Sequence, residues 1–491
     1  MDPRTRKVLD RSFTGLGMIS IVLMAVALVF LLAPMVTRGL GAYFFRGTVE
    51  HRRVIFEQFG HGDRDALVAE ATEFAQARNA IYDEVDAFEA ANIARGPKRW
   101  SLSRQQREEQ DVLQANLDDL KQSLRVLLGP RRDVAWLLKD LLLPEEFERR
   151  VQAGEIVLPD VADNRPALPR EQYGQTRWDR VDVKLQQVLY RETWEQPDSA
   201  GDSPQMLEQV YRPRVDEFRG TSLEPLFAQL ESEAADLFQP RWTFYWGFLT
   251  DVSKDSHLFG GIWPEVLGTL YLTLGAILFA VPMGVISAIY LVEYAPETWW
   301  IGVLRSCVST LAGVPSIVFG LFGLAFFINA IHVSPSKSVL AGSLTLGLLI
   351  LPVVIRASEE AIRAVPRTYK EAALSVGAGK WHTVLTVILP AALPGILTGI
   401  VISMGRAAGE TAPIIFTAAV SVGQPLQVWE TLREGTPALP WNIYNLSTEH
   451  EAVDEIRHVQ YGMVFTLVML VLLLNGTAII MRARIARRLA G

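Results

Sequence analysis

The chain has 491 residues, of which 49% are hydrophobic and 21% charged, with one cysteine (Cys307) and a formal net charge of −7. This length suits two or three domains, and the apolar fraction excludes a disordered or collagen-like chain. A single cysteine excludes an intramolecular disulfide and any cysteine-based metal site, and the net acidity gives no footing for nucleic acid.

The average hides a partition. Residues 41–260 hold 28 Lys/Arg and 39 Asp/Glu, a net of −11, whereas the other 271 residues hold 19 and 15, a net of +4. All the long charge-free runs fall in that second group, at 12–37, 266–292, 306–336, 338–355, 381–405 and 458–481. A helix needs roughly 20 apolar residues to cross the hydrocarbon core, so these runs predict six spans. The fifth is expected to start near Pro390 and continue to about Val420. The 22-residue stretch Gly15–Val36 is longer than a signal-peptide core, which predicts a retained anchor.

Basic residues set the orientation. Arg4, Arg6, Lys7 and Arg11 precede the first span, Arg356, Arg363, Arg367, Lys370 and Lys380 follow the fourth, and Arg482, Arg484, Arg487 and Arg488 follow the last. Six spans put all three groups on one side, the cytoplasmic one. The acidic insert and the 421–457 loop then face outward. The chain reads as an all-α integral membrane protein with six transmembrane helices and a mainly helical soluble insert. Residues 1–40 form the tail and first helix, 41–260 the extracytoplasmic insert, and 261–491 a core of five further helices.

Within the insert, 63–94 carries Leu67, Ala71, Phe74, Ala77, Ile81, Val85 and Phe88 at helical spacing. RGPKRW at 95–100 breaks the pattern. A second helix follows over 101–129, with Ser101 or Ser103 as N-cap and Gly129-Pro130 as stop, which predicts an antiparallel helical hairpin. Shorter helical pieces are expected at 181–194 and 225–238. His51, His61 and His257 stand alone and are expected as surface histidines. The acidic runs read as a solvated face, or alternatively as a docking surface for a partner protein.

Between the fourth and fifth spans lies a polar segment too short of apolar residues to cross. Pro366 suits the first turn of a new helix, TYKEAALSV favours helix, and Gly377-Ala378-Gly379 ends or turns it. The expectation is a short amphipathic helix on the basic side. Glu371-Ala372-Ala373, then Gly377, then Val387-Ile388-Leu389-Pro390 resembles the EAA motif of ABC-importer permeases. The resemblance implies a coupling loop over 356–390 that docks on a cytoplasmic ATPase. Glu371 would meet the ATPase, Ala372 and Ala373 would permit close contact, and Gly377 would make the turn. GGIWPEVLGTLYLTLGAILFAVPMGVISAIYLVEYAPE, LAGVPSIVFGLFGLAFF and GRAAGETAPIIFTAA further resemble permease subunits of bacterial phosphate importers, over about 258–485.

That resemblance implies the type I ABC importer (MetI-like) permease fold in a bacterial inner membrane and no enzymatic activity in this chain. It implies as partners a second homologous permease subunit, two ATP-binding subunits and an extracytoplasmic phosphate-binding protein, with phosphate as cargo. The large insert departs from the family pattern. VGAGKW at 376–381 lacks the Ser/Thr and spacing of a P-loop, so ATP hydrolysis is expected elsewhere, and no cofactor or metal is expected here.

Charges within spans need a reason to be there. Arg406 and Glu410, four residues apart, can pair on one helical face, and a guanidinium fork also matches phosphate oxygens. They are expected to line the substrate path, with Arg356 as a further candidate that could instead snorkel to the interface. The alternative is a structural pair, since Gly405 and Gly409 form a GxxxG step suited to close helix contact, whereas Gly395 and Gly399 are expected to serve packing alone. Another tetrahedral oxyanion, such as sulfate, molybdate or a phosphonate, is an alternative cargo. A membrane receptor sensing through the insert is an alternative function.

Overall fold

The computed structural model describes residues 3–94, 103–160, 162–163, 165–195 and 208–490. The 95–100 break and the Ser101 cap lie outside the described residues. The chain divides into two compact units, Phe44–Tyr245 and a membrane unit of 1–43 with 246–491.

Helix α1 (Pro3–Leu40) carries the first apolar run and is exposed over nearly all of 12–40. The second unit follows. Strand β1 (Phe44–Gly47) leads into α2 (Val49–Phe59), capped by the Thr48 hydroxyl, and α3 (Arg64–Glu89), capped by Asp63. Helix α4 (Arg104–Leu128) opens with a full capping box between Ser103 and Gln106. It ends at Gly129, whose φ of +80° and backbone contact with Tyr173 and Gly174 leave no room for a Cβ. Helices α5 (Val134–Leu141), α6 (Pro144–Gln152), α7 (Trp178–Leu189) and α8 (Glu224–Phe238) complete the unit with strands β2 (Tyr190–Glu195), β3 (Glu208–Pro213) and β4 (Arg241–Phe244). The strands form two antiparallel ribbons, β1–β4 and β2–β3. The 181–194 segment is thus helix only to Leu189. Its second half, YRETWE, is rich in β-formers and becomes β2.

Apolar side chains of α3, α4, α7 and α8, with Phe218 from the 3-10 turn Arg214–Phe218, make one core, including Phe74, Leu117, Leu120, Leu124, Val188 and Phe238. Beside it sits a buried ionic cluster. Glu50 on α2 meets Arg53 (3.1 Å) and Arg78 of α3 (3.5 Å), and Arg53 also lies 4.5 Å over the Tyr173 ring. Burial pushes the Glu50 carboxyl up despite both arginines, and pushes Arg78 down to about 10. His51 is buried too, edge-on to Phe45 and Tyr245, and burial with Arg177 and Arg52 nearby lowers it to about 3. The expectation of a surface histidine fails at His51 because α2 turns that face inward. His61 is exposed as expected.

The membrane unit resumes with the one-turn helix α9 (Gly247–Thr250) and α10 (Trp263–Ile289), which passes into a π-helical turn over Tyr290–Tyr294. Next come α11 (Trp299–Leu311) and α12 (Ser316–Gly323), the latter continued by a π segment over Leu324–Ala330. Helices α13 (Val339–Arg363), α14 (Arg367–Ser375), α15 (Lys380–Thr383), α16 (Leu389–Gly409), α17 (Ala412–Thr417), α18 (Leu439–Thr448) and α19 (Arg457–Ala490) follow, with a π segment over Val384–Ile388 between α15 and α16.

Among the described residues five helices are long and apolar enough to span a bilayer, and the pair Trp299–Leu311 with Ser316–Ala330, bent by 101°, is either a broken sixth span or a re-entrant loop. The predicted straight span at 306–336 is therefore two helices. The break falls at Gly313-Val314-Pro315, where proline removes a donor and bars helical backbone before it. The fifth span also differs from expectation. It runs Lys380–Gly409 and stops at Glu410, well short of Val420.

Glycine contacts give the helix directions. Gly275 faces Ser343, Gly347 faces Phe279 and Gly284 faces Val354, so α10 and α13 run parallel. Gly395 faces Ala361 and Gly399 faces Ala357, so α16 runs antiparallel to α13. Thr398 meets Arg482 while Gly405 faces Asn475, so α19 runs antiparallel to α16. The C-terminal ends of α10, α13 and α19 thus share one end of the bundle with α14. The C-terminal end of α16 lies at the other.

Candidate functional site

Helix α14 stands out because none of its residues is buried. Glu371 and Ala372 are exposed, Ala373 is half-buried, and Tyr369, Leu374, Val376 and Trp381 present apolar surface to solvent. An amphipathic helix with its apolar side uncovered is unusual in a finished fold and marks an interaction surface. Its C-terminus is a Schellman turn: Ala378 N–H donates to Ala373 C=O (3.2 Å) and Gly377 N–H to Leu374 C=O (3.0 Å). Gly377 holds φ +84°, and open space surrounds the place where a Cβ would lie. The glycine is there for its backbone, not for lack of room.

Two lysines tie this helix to the rest of the unit. Lys370 forms an ion pair with Glu293, whose side chain is only 8% exposed, and Lys380 lies 4.7 Å over the Tyr294 ring. Both partners belong to the π-helical end of α10. Sequence reading used Lys370 only as a marker of orientation and passed over Glu293, which directly follows the 266–292 run. A lone carboxylate at the end of an apolar run, opposite a basic loop, is the signal that could have found it.

Arg356 is part of a second knot at the same end. It donates to Glu359 (3.4 Å), to the Arg305 carbonyl (2.7 Å) and to Ser309, while Arg305 donates to the Leu291 carbonyl (2.7 Å). Glu359 is buried between the two arginines. Arg356 therefore cross-braces α11, α13 and the end of α10. Among the described residues no ion pair or hydrogen bond joins it to Arg406 or Glu410.

Arg406 and Glu410 do pair, Nε to Oε1 at 3.3 Å, with the arginine side chain 38% exposed. They sit at the far end of α16, Arg406 in its last turn and Glu410 just past it, rather than mid-span as expected. The neighbouring GxxxG step is not a close helix contact. A Cβ at Gly405 would meet Asn475 at an ordinary 3.4 Å, and one at Gly409 would meet nothing. By contrast, Gly395 and Gly399 press on Ala361 and Ala357 with no room for a methyl group, in keeping with packing.

One polar cluster escaped sequence reading entirely. His257 Nε2 lies 2.8 Å from Glu265 Oε1, and Asn442 Nδ2 donates to the same oxygen at 3.0 Å. All three residues are buried, so His257, like His51, is not a surface histidine. They join α10 and α18 at the end of the bundle opposite α14. Their sequence separation, up to 185 residues, hides the association.

Comparison with known proteins bears on this geometry. Residues 280–491 match the family described as binding-protein-dependent transport system inner membrane component. The chain is 33% identical over 240 residues to the probable ABC transporter permease protein YqgI of Bacillus subtilis, covering 47% of this chain and 81% of that one. It is 37% identical over 229 residues to the phosphate transport system permease protein PstA 1 of Mycobacterium tuberculosis, covering 47% and 73%. A solved structure of the MetNI methionine ABC transporter in an inward-facing conformation aligns at 18% identity and TM-score 0.37, over 45% of this chain and 94% of that one. A permease of this kind works with ATP-binding and substrate-binding partners and is not itself an enzyme. The chain belongs to the binding-protein-dependent transport permeases and is the multi-pass inner-membrane subunit of an ABC importer.

Proposed function

We propose that this subunit imports inorganic phosphate, forming half of a translocation path with a second homologous permease, two ATP-binding subunits and an extracytoplasmic phosphate-binding protein. The observation that carries the reading is the 37% identity to a permease named for phosphate transport, over 73% of that protein's length. The exposed helix α14, with Glu371, Ala372, Ala373 and Gly377, is the surface that receives the ATPase, so its end of the bundle is cytoplasmic. The termini lie on that side, and 44–245 is extracytoplasmic.

ATP binding draws the ATPases together and carries α14 with them. Lys370–Glu293 and Lys380–Tyr294 pass the displacement to the end of α10. At the outer end, the Arg406 guanidinium can exchange its Glu410 carboxylate for phosphate oxygens, which it matches bidentately. The Glu410 carboxylate then disfavours prolonged occupancy, so the anion moves on rather than staying bound. Arg356 serves as a brace in this scheme rather than as a path residue.

The test is uptake of labelled phosphate in cells depleted of this subunit, with sulfate and molybdate as competitors. Loss of high-affinity uptake that neither competitor blocks supports phosphate. Unchanged phosphate uptake in cells without a redundant importer would return the cargo to the other oxyanions.

A further inference from the structure

A carboxyl group, an imidazole and an amide meet inside the membrane unit without completing one another. His257, Glu265 and Asn442 are 3%, 1% and 0% exposed. Asn442 Nδ2 donates to Glu265 Oε1 (3.0 Å), and His257 Nε2 lies 2.8 Å from the same oxygen. The second oxygen of each planar group, Glu265 Oε2 and Asn442 Oδ1, is also buried, and among the described residues neither meets a donor. An ionised carboxylate and an amide carbonyl only accept, so neither can serve the other. Buried acceptors are rarely left in that condition. One proton on Glu265 Oε2 serves both. The carboxyl becomes a donor, and O–H to Asn442 Oδ1 closes a ring with the N–H to Oε1 contact already made. Oε1, then a carbonyl oxygen, keeps its two lone pairs for Asn442 and His257.

The cluster holds a strained strap, 251–262. Asp255, Ser256 and His257 have φ +48°, +53° and +72° in succession, a conformation that L-residues other than glycine adopt singly rather than in runs. Lys254 and Phe259 exchange backbone hydrogen bonds across the strap, and the Ser256 carbonyl lies 2.9 Å from His450 Nε2. His257 is the side chain that fastens it to α10 and α18. Few charges surround that link. The strap carries Asp251, Lys254 and Asp255, Glu434 precedes α18, and Glu449 and His450 follow it. Helix α10 brings no second charge before Glu293, α18 brings none, and Arg406 on α16 is paired with Glu410. Among the described residues no ion pair joins Lys254 or an arginine to Glu265, so no fixed cation stands beside it in place of a proton.

We infer that His257, Glu265 and Asn442 form a proton-binding site, in which Glu265 donates a carboxylic proton to Asn442 Oδ1 and that proton fastens the strap to α10 and α18. Without it a buried carboxylate faces an amide oxygen with no donor between them. The fastened state binds the proton, so acid favours fastening and rising pH loosens the strap. The bundle thus has a pH-sensitive clasp at the end opposite α14.

The experiment uses the full-length chain in nanodiscs. Infrared difference spectra between wild type and Glu265→Gln at neutral pH read a protonated carboxyl. Hydrogen exchange of 251–262 peptides, corrected for intrinsic rates, reads the strap as pH is raised. Glu265→Gln copies the hydrogen-bond pattern of the neutral acid, an amide N–H replacing the O–H. The expected result is a deuterium-sensitive carboxylic C=O band present in wild type and absent from the variant, with strap protection that falls as pH rises in wild type and holds in Glu265→Gln. Absence of that difference band makes Glu265 a carboxylate and overturns the inference. Equal pH dependence of strap protection in both proteins means that the proton does not fasten the strap and overturns it equally. If Glu265→Gln does not fold, Asn442→Ala decides: the band should move to higher frequency on losing the amide N–H, and an unmoved band belongs to another carboxyl and overturns the site.

Discussion

Gly377 offers the sharpest test of the coupling surface, because its structural requirement has a single source. At φ +84° an L-residue meets a backbone penalty of roughly 1–2 kcal/mol, larger for a β-branched side chain and least for asparagine. No atom lies within 4 Å of the place where a Cβ would be, so the subunit alone imposes no steric cost. If the Schellman turn must be closed for α14 to enter the ATPase, about 1 kcal/mol for Gly377→Ala weakens binding roughly 5-fold. About 2 kcal/mol for Gly377→Val weakens it roughly 30-fold, and Gly377→Asn loses least. The assay is the dissociation constant of the ATPase subunits for the permease in nanodiscs, followed by ATP hydrolysed per phosphate transported. The order Asn, Ala, Val from mildest to most severe supports backbone strain. Equal losses for all three would place the requirement in a tight groove on the ATPase, and wild-type coupling in Gly377→Val would refute the coupling assignment.

Other expectations follow from named contacts. Arg406→Ala should abolish uptake with membrane insertion intact, and Arg406→Lys should rescue little because a point charge lacks the fork; normal uptake in Arg406→Ala removes it from the path. Lys370→Met strands the buried Glu293 carboxylate, so coupling should fall more than in the double variant Lys370→Met/Glu293→Leu, with a cycle energy of about 1 kcal/mol; a cycle that sums to zero would make the pair incidental. Gly399→Leu should cost about 1–3 kcal/mol by forcing α16 off α13, and Ala357→Gly should recover part of it, as read by thermal aggregation in detergent. In the insert, His51 has a folded pKa near 3 against an ordinary 6.5, so the unfolded chain takes up a proton that the folded one refuses. Its contribution is complete above the unfolded value and is lost as pH falls through 6.5. The loss reaches about 2 kcal/mol by pH 5. Hydrogen exchange of α2 peptides in His51→Asn, corrected for intrinsic rates, should show a shallower acid slope than wild type; identical slopes would exclude the histidine.

What the sequence discloses and what it hides divide along physical lines. Membrane spans and α14 were legible because hydropathy and helix capping are local: twenty apolar residues or a Gly after an amphipathic turn need no distant partner. The bend between Leu311 and Ser316 was hidden in a charge-free run, since lipid exposure does not depend on helix direction; only Pro315 pointed to it. The glycine steps at 395/399 and 405/409 look identical in sequence, yet only the first faces another helix at contact distance, because that depends on which side of α16 meets α13. Burial of His51 and His257 and the bracing role of Arg356 likewise depend on partners tens or hundreds of residues away. Of the five site residues with a polar or turn function, Glu371 and Gly377 lie on and just past the exposed α14, Arg406 and Glu410 pair at the end of α16, which stops sooner than its apolar run suggests, and Arg356 binds to α11.

The arrangement also bears on how a movement at α14 could reach the opposite end of the bundle. Helices α10, α13 and α16 touch through glycine and alanine, Gly284 on Val354, Gly395 on Ala361 and Gly399 on Ala357, contacts so close that sliding any one helix by a fraction of a turn would drive a methyl group into backbone. Such a trio moves as a body. Irregular backbone lies elsewhere, in the π segments Tyr290–Tyr294 and Val384–Ile388 that flank α14 in space and in chain, in the π segment Leu324–Ala330 after α12, and in the 101° break between α11 and α12. Glu293 and Tyr294, which hold Lys370 and Lys380, lie in the first of these segments, and the Leu291 carbonyl there accepts from Arg305. Two of these three π segments thus lie where α14 joins the bundle. The far end of the trio carries Arg406 at the close of α16 and the buried His257–Glu265–Asn442 contact at the start of α10.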